Sequence, residues 1–333
     1  MTGRVKAIGA VMLALCVWGA GIAVAQSATD PPAPITAPPS SLDLTSEKVS
    51  HLEADVSRHD YVAAEELLIK EIEPEPKSAR AAPLLAYLGS IYFLNHDYLN
   101  AAIALKKSDA ITPLPAALQF SLAMAYVRIS RPDWARPVLE SLSAHDAKNA
   151  LYPYWLGRLD YDAQHYPEAI RRFEQAITLD PAMARAYDSL GLCNFSQNQT
   201  GPAMKNFQTA IELDRAAPHP SPWPYVNRAA TLEFLGRLPE AEADLRQALR
   251  LDPKLAAAHY QLGNVLEHQN RLEAAVPEMQ EAIRLDGNYA QPHVALAQIY
   301  NHLGRRDAAS EEVKIYLRLQ ANAKSPLELE PAH

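Results

Sequence analysis

Cysteine is almost missing from this chain. Of the two present, Cys16 lies in an N-terminal apolar run, which leaves Cys193 alone in everything that follows. A lone thiol closes no internal disulfide, and no cysteine pair is spaced for zinc or thiol exchange; Cys193 reads as a small packing residue. The twelve glycines form no phosphate-cradling loop, and neither His-Glu-x-x-His nor Gly-x-Ser-x-Gly occurs. Without a constellation of nucleophile, base or ligand, the expectation is a chain that is not an enzyme and takes no cofactor and no metal. Basic residues are also short: 31 Lys and Arg stand against 39 Asp and Glu, a formal charge of −8 with no basic run. That argues against nucleic acid and against an anionic membrane surface as partners.

Long apolar runs are absent but for one. Residues 7–25 carry no charge, follow Arg4 and Lys6, and end in Ala23-Val24-Ala25 before Gln26. This predicts a secretory signal peptide over residues 1–25, the alternative being an uncleaved anchor, since the run just suffices to span a bilayer. Gly19 and Gly21 lead into the small-residue site and favour cleavage, which would take the formal charge from −8 to −10. A lipid-modified Cys16 is rejected because Leu15 precedes it. Export to a periplasm or beyond is therefore expected, with membrane contact only through residues 7–25 if they are kept, as an inner-membrane anchor. Residues 26–42 are rich in proline and read as a stiff linker.

What the chain does have is a period. Units of 34 residues begin at Ala82, Ala116, Ala150 and Ala184 and, after a four-residue insertion at 218–221, at Pro222, Ala256 and Ala290. The eighth position is always small (Gly89, Ala123, Gly157, Gly191, Ala229, Gly263, Ala297), and the twentieth is always Ala. Two antiparallel helices touch backbone to backbone only where facing side chains are this small. The twenty-fourth position is bulky (Leu105, Leu139, Phe173, Phe207, Leu245, Met279, Val313), and the seventh is Leu except for Arg228. Asn198, Gly236, Asn270 and Gly304 stand where a left-handed residue ends a first helix. Pro167 and Pro239 suit the first turn of a second helix.

In one unit Leu156-Gly157, Ala169, Phe173, Ala176 and Pro181, and in the next Tyr187, Leu190-Gly191, Ala203, Phe207 and Ala210, resemble the tetratricopeptide repeat. The resemblance covers residues 82–323. It implies an all-α, right-handed superhelical solenoid of helix-turn-helix repeats, with a degenerate repeat at 43–81 capping the N-terminal end and a disordered tail at 324–333. It fixes an architecture and no chemistry.

The resemblance also implies a concave face lined by positions 2, 5, 9 and 12 of the first helices. Carried over, these give Tyr154, Arg158 and Tyr161, then Arg185 and Asp188, then Tyr260, Asn264 and Glu267 as a groove for a peptide or partner protein. Aromatics beside Arg and Asn suit such a role. The lysine-bearing clamp by which some relatives grip acidic chaperone tails has no counterpart, since no position 5 is Lys. The proline-rich break, with Trp223 and Arg228, reads either as an elongated turn whose Arg228 snorkels to water or as a change of curvature exposing both for a partner. His259 and His293 share position 4; packing is the plainer reading, since a zinc site would need further ligands. The function expected is a protein-binding scaffold outside the cytoplasm. The alternatives are an envelope or secretion assembly factor using residues 218–228, and the regulatory arm of a separate enzyme.

Overall fold

A computed structural model describes residues 38–324. The apolar N-terminal segment, most of the proline-rich linker and residues 325–333 lie outside the described residues, and with them the expectations of a signal peptide or anchor and of a tail. Among the described residues sixteen α-helices follow one short 3-10 turn, and there is no strand. The end of the linker is not a free spacer: Leu42 is buried in the core of the first helices.

The chain divides into two compact units at Asp180–Pro181. In the N-terminal unit the helices pair as α1 (Ser46–Ser57) with α2 (Tyr61–Ile72), α3 (Ala81–Leu94) with α4 (Tyr98–Ile111), α5 (Ala116–Arg128) with α6 (Pro132–His145), and α7 (Leu151–Asp162) with α8 (Tyr166–Leu179). Leu52, Leu68, Leu84 and Ile91 are wholly buried in its core. In the C-terminal unit the pairs are α9 (Ala184–Ser196) with α10 (Thr200–Asp214), α11 (Trp223–Phe234) with α12 (Leu238–Leu251), α13 (Ala256–His268) with α14 (Leu272–Leu285), and α15 (Ala290–His302) with α16 (Arg306–Lys324). Its core runs through Leu245, Leu262, Val265, Met279 and Leu296. Cys193 is wholly buried.

Small residues at position 8 are what let each pair close. A Cβ on Gly191 would lie 2.5 Å from the Phe207 ring, and one on Gly157 would lie 2.9 Å from Phe173. Where position 8 is Ala, position 24 is never aromatic: Ala123 faces Leu139 and Ala229 faces Leu245. Both aromatic residues at position 24, Phe173 and Phe207, stand opposite glycine, where close packing leaves no room for a methyl.

The turn within every pair is one device used eight times. His59, His96, Ser130, Gln164, Asn198, Gly236, Asn270 and Gly304 all have φ between 56° and 74°. The next residue's N–H reaches back to the carbonyl five residues earlier, as in Asp97 to Tyr92 (2.9 Å) and His165 to Asp160 (2.8 Å). This satisfies carbonyls that the helix end would otherwise leave open. A left-handed conformation costs an L-residue roughly 1–2 kcal/mol, and Gln164 has no short polar group to offset it. Gln164→Gly should therefore raise stability by about 1 kcal/mol, read as a higher midpoint in urea at unchanged slope.

The insertion does not interrupt the stack. Helices α10 and α11, which flank it, pack as closely as the corresponding helices of the later repeats. Asp214 accepts the Ser221 N–H, and the Ser221 hydroxyl accepts from Trp223 N (3.3 Å), so the extra residues form a capped turn. Arg228 departs from the snorkelling expected of it. Its Nε and Nη2 meet both oxygens of Asp244 on α12 at 2.7 and 2.6 Å, and Nη1 reaches Gln208. With side chains only 18% and 11% exposed, this is an inward ion pair replacing the leucine contact of other repeats.

Candidate interaction surface

In the C-terminal unit the first helices of successive repeats touch one another, and in the N-terminal unit α3 meets α5, which meets α7 through the Phe120 and Tyr152 rings at 5.8 Å. In the N-terminal unit the first-helix face carries the α7 residues. Tyr154 is only 4% exposed, its ring lying against Trp155 (5.5 Å) and Phe173 (5.9 Å). The expected groove exposure of Tyr154 is thus corrected: its ring is held in the core by its contacts with Trp155 and Phe173. Arg158 is half-buried. Burial works against its charge, but Tyr154 and the nearby Asp162 outweigh that and keep the guanidinium protonated. Tyr161, half-buried, stacks edge-on against Tyr166 at 5.7 Å. Farther toward the N-terminus, the small inward residues Pro83, Ala86 and Ser90, with Tyr87, Leu114 and Leu118, border a cavity of about 220 Å³.

In the C-terminal unit Arg185 and Asp188 are half-buried on α9, and Asp188 accepts from Asn227 Nδ2 at 3.0 and 3.1 Å. Trp223 is half-buried against the core and Arg228 is turned inward, so neither stands out from the break as a free surface. Tyr260, Asn264 and Glu267 follow one another at helical spacing on α13, all half-buried. The Tyr260 ring meets Tyr289 at 5.2 Å. Glu267 is held above the usual carboxylate range by burial, with Glu233 adding to the effect against His268 and His302.

Sequence reasoning took only four positions per first helix and so missed Asn227, His268 and His302. The signal available was a spacing: Glu233 precedes His268, and Glu267 precedes His302, by the same 35 residues. Each histidine sits one position past the acid of the repeat before it. His268 Nδ1 lies 2.9 Å from Glu233 Oε1, and His302 Nδ1 lies 3.9 Å from Glu267 Oε1. His259 and His293 are not partners of each other; they donate to Glu278 (2.7 Å) and Glu312 (2.6 Å) across their own repeats. His259 also faces the Pro253 carbonyl through Nε2 at 3.2 Å, so both ring nitrogens meet acceptors and the imidazolium is favoured.

These contacts have a pH signature. The Glu278 hydrogen bond raises His259, and the Glu233 contact raises His268. A raised folded-state pKa stabilises below the unfolded value, near 6.5, and that stability fades as pH rises through the folded value. Stability should therefore increase on acidification from about pH 8 to about pH 6. Urea midpoints across that range test this, and the dependence should shrink in His259→Gln/His268→Gln.

The tetratricopeptide-repeat family model matches residues 154–222 and 227–290. Among curated relatives, the type IV pilus assembly protein PilF of Pseudomonas aeruginosa is 27% identical over 133 residues, 39% of this chain and 53% of PilF. The DnaJ homolog subfamily C member 7 homolog of Dictyostelium discoideum is 25% identical over 154 residues, 43% of this chain and 29% of that one. The chain thus spans about half of the first relative and under a third of the second. Among solved structures, a tetratricopeptide-repeat protein from Parabacteroides merdae superposes with a TM-score of 0.65 at 18% identity, over 76% of this chain and 97% of its own. PilW, a widely conserved type IV pilus biogenesis factor, does so with 0.56 at 23%, over 63% and 95%. At such identities the likeness is one of fold: an all-α helical repeat. Tetratricopeptide repeats mediate protein–protein contact, and among the described residues no helix is long and apolar enough to cross a membrane.

Proposed function

We propose that this protein is a non-enzymatic scaffold that holds a peptide segment or partner protein on the first-helix face of its repeats, outside the cytoplasm. The observation that carries the reading is the α13 stripe of Tyr260, Asn264 and Glu267, half-buried polar and aromatic groups at helical spacing on a family architecture built for protein contact. Export is supported by the apolar run at residues 7–25 with its small-residue site. The test is a photo-crosslinking residue at Asn264, with a second at the exposed Ala243 on α12, in cells and their envelope fraction. The reading predicts a discrete crosslinked protein from Asn264 and none from Ala243, in the exported fraction. The same products from both positions, or none, would overturn it.

A second reading is favoured by one observation: PilF is a pilus assembly protein, and this chain matches about half of it. On that reading the protein is an assembly factor for an envelope structure, working through the same first-helix face and not through residues 218–228, where Arg228 is already committed to Asp244. A crosslinked partner that is a structural subunit of an envelope machine would support it.

A further inference from the structure

Three successive junctions of the C-terminal unit use one contact. The twelfth position of a first helix meets the thirteenth of the next: Phe195 with Phe234 (5.8 Å), Glu233 with His268 (2.9 Å), Glu267 with His302 (3.9 Å). The first rung is apolar and complete in itself; the other two place two carboxylates in one patch with only imidazoles to answer them. Glu233 is 9% exposed, and its Oε1 accepts no aligned hydrogen bond although His268 Nδ1 lies near. The arginines of adjoining turns are engaged elsewhere. Arg271 meets Glu242 (2.8 Å) and Gln269 (2.9 Å), Arg237 meets Glu240 (2.7 Å), and Arg305 meets Glu273 (2.9 Å).

The Glu233 contact favours the charged form of His268, while Glu267 has only the His302 imidazole at 3.9 Å, so the two buried or half-buried carboxylates outweigh the positive charge beside them. Buried charge without a counter-charge is costly, and a charge-assisted hydrogen bond from outside relieves it. Asn264 and Tyr260 lie one and two turns back on the same face of α13. They offer an amide for a partner's backbone and an aromatic ring for the stem of a cationic side chain.

We infer that the Glu233–Glu267 patch receives a lysine or arginine side chain of the bound partner. This rests on the proposed first-helix interaction surface and names its chemistry. At neutral pH the guest cation completes the patch.

The probe is fluorescent pentalysine, with its fully acetylated form as the neutral counterpart, titrated into the full chain at about pH 8 and about pH 5.5, either side of the histidine range. Pentalysine should bind at least about tenfold tighter than the acetylated peptide at the higher pH. Glu233→Gln/Glu267→Gln should cost about tenfold, whereas Asp307→Asn/Glu311→Gln, an equal change of charge at exposed sites, should cost less than about twofold. Acidification should weaken wild-type binding, since His268 and Glu267 both take up protons more readily than free groups, with circular dichroism and thermal midpoint confirming that each variant folds. Equal losses from both carboxylate pairs, unchanged affinity in the Glu233/Glu267 variant, or no preference for the charged peptide would overturn the inference. If the Asn264 crosslink survives that result, the interaction surface stands and only its cation specificity falls; loss of the crosslink as well would remove both.

Discussion

Asp244→Ala should cost the C-terminal unit about 3 kcal/mol, because removing one member of a largely buried ion pair strands the other. Arg228 would keep only its contact with Gln208, with its guanidinium still mostly shielded from water. The informative comparison is the double variant Arg228→Leu/Asp244→Ala. It rebuilds the arrangement of the first full repeat, where Leu88 occupies position 7 and Ala104 occupies position 23. An apolar replacement of such a pair is often neutral or stabilising, so the double variant should unfold within about 1 kcal/mol of the parent or above it. Urea unfolding followed by circular dichroism gives all three values. A double variant as damaged as Asp244→Ala would mean that the ion pair holds the repeat in a geometry that leucine cannot reproduce.

Gly191→Ala carries the second large effect. The added methyl would lie 2.5 Å from an aromatic carbon of Phe207, a ring with no exposed surface to retreat toward. Overpacking of this kind costs about 1–3 kcal/mol, and the rigid ring places the expected loss toward the upper end. Phe207→Leu should rescue it, since Ala at position 8 with Leu at position 24 is the combination found in Ala123–Leu139 and Ala229–Leu245. The double variant should be more stable than Gly191→Ala alone, giving a coupling of about 1 kcal/mol or more in a double-mutant cycle. Additive losses would mean that the two positions do not share one volume.

These two sites mark the boundary of what the sequence discloses. The Gly191–Phe207 contact was legible because it repeats: a small residue at one fixed position and a bulky one sixteen places later, seven times over. The inter-helix turns were legible only where Asn or Gly occupied them; His59, His96, Ser130 and Gln164 adopt the same backbone without advertising it. Arg228 was visible as an exception, but its partner was not, because the sequence shows Asp244 as one more acid on a polar helix. Tyr154 sits at a position assigned to the groove by the resemblance, yet its ring packs inward against Phe173 and Trp155, contacts that the repeat pattern does not encode. The Glu–His rungs depend on how one first helix is offset from the next, which no single repeat encodes. The division after Asp180 likewise falls one repeat before the proline-rich insertion that seemed to break the array.

The central claim is that the first-helix face of the repeats is where a partner is held. Hydrogen–deuterium exchange of the full chain, with and without the protein crosslinked from Asn264, tests it most directly. The account predicts slowed exchange confined to first helices, strongest in α11, α13 and α15, with second helices such as α12 and α14 unchanged. Protection of the second helices, with the first helices exchanging as in the free chain, would contradict it.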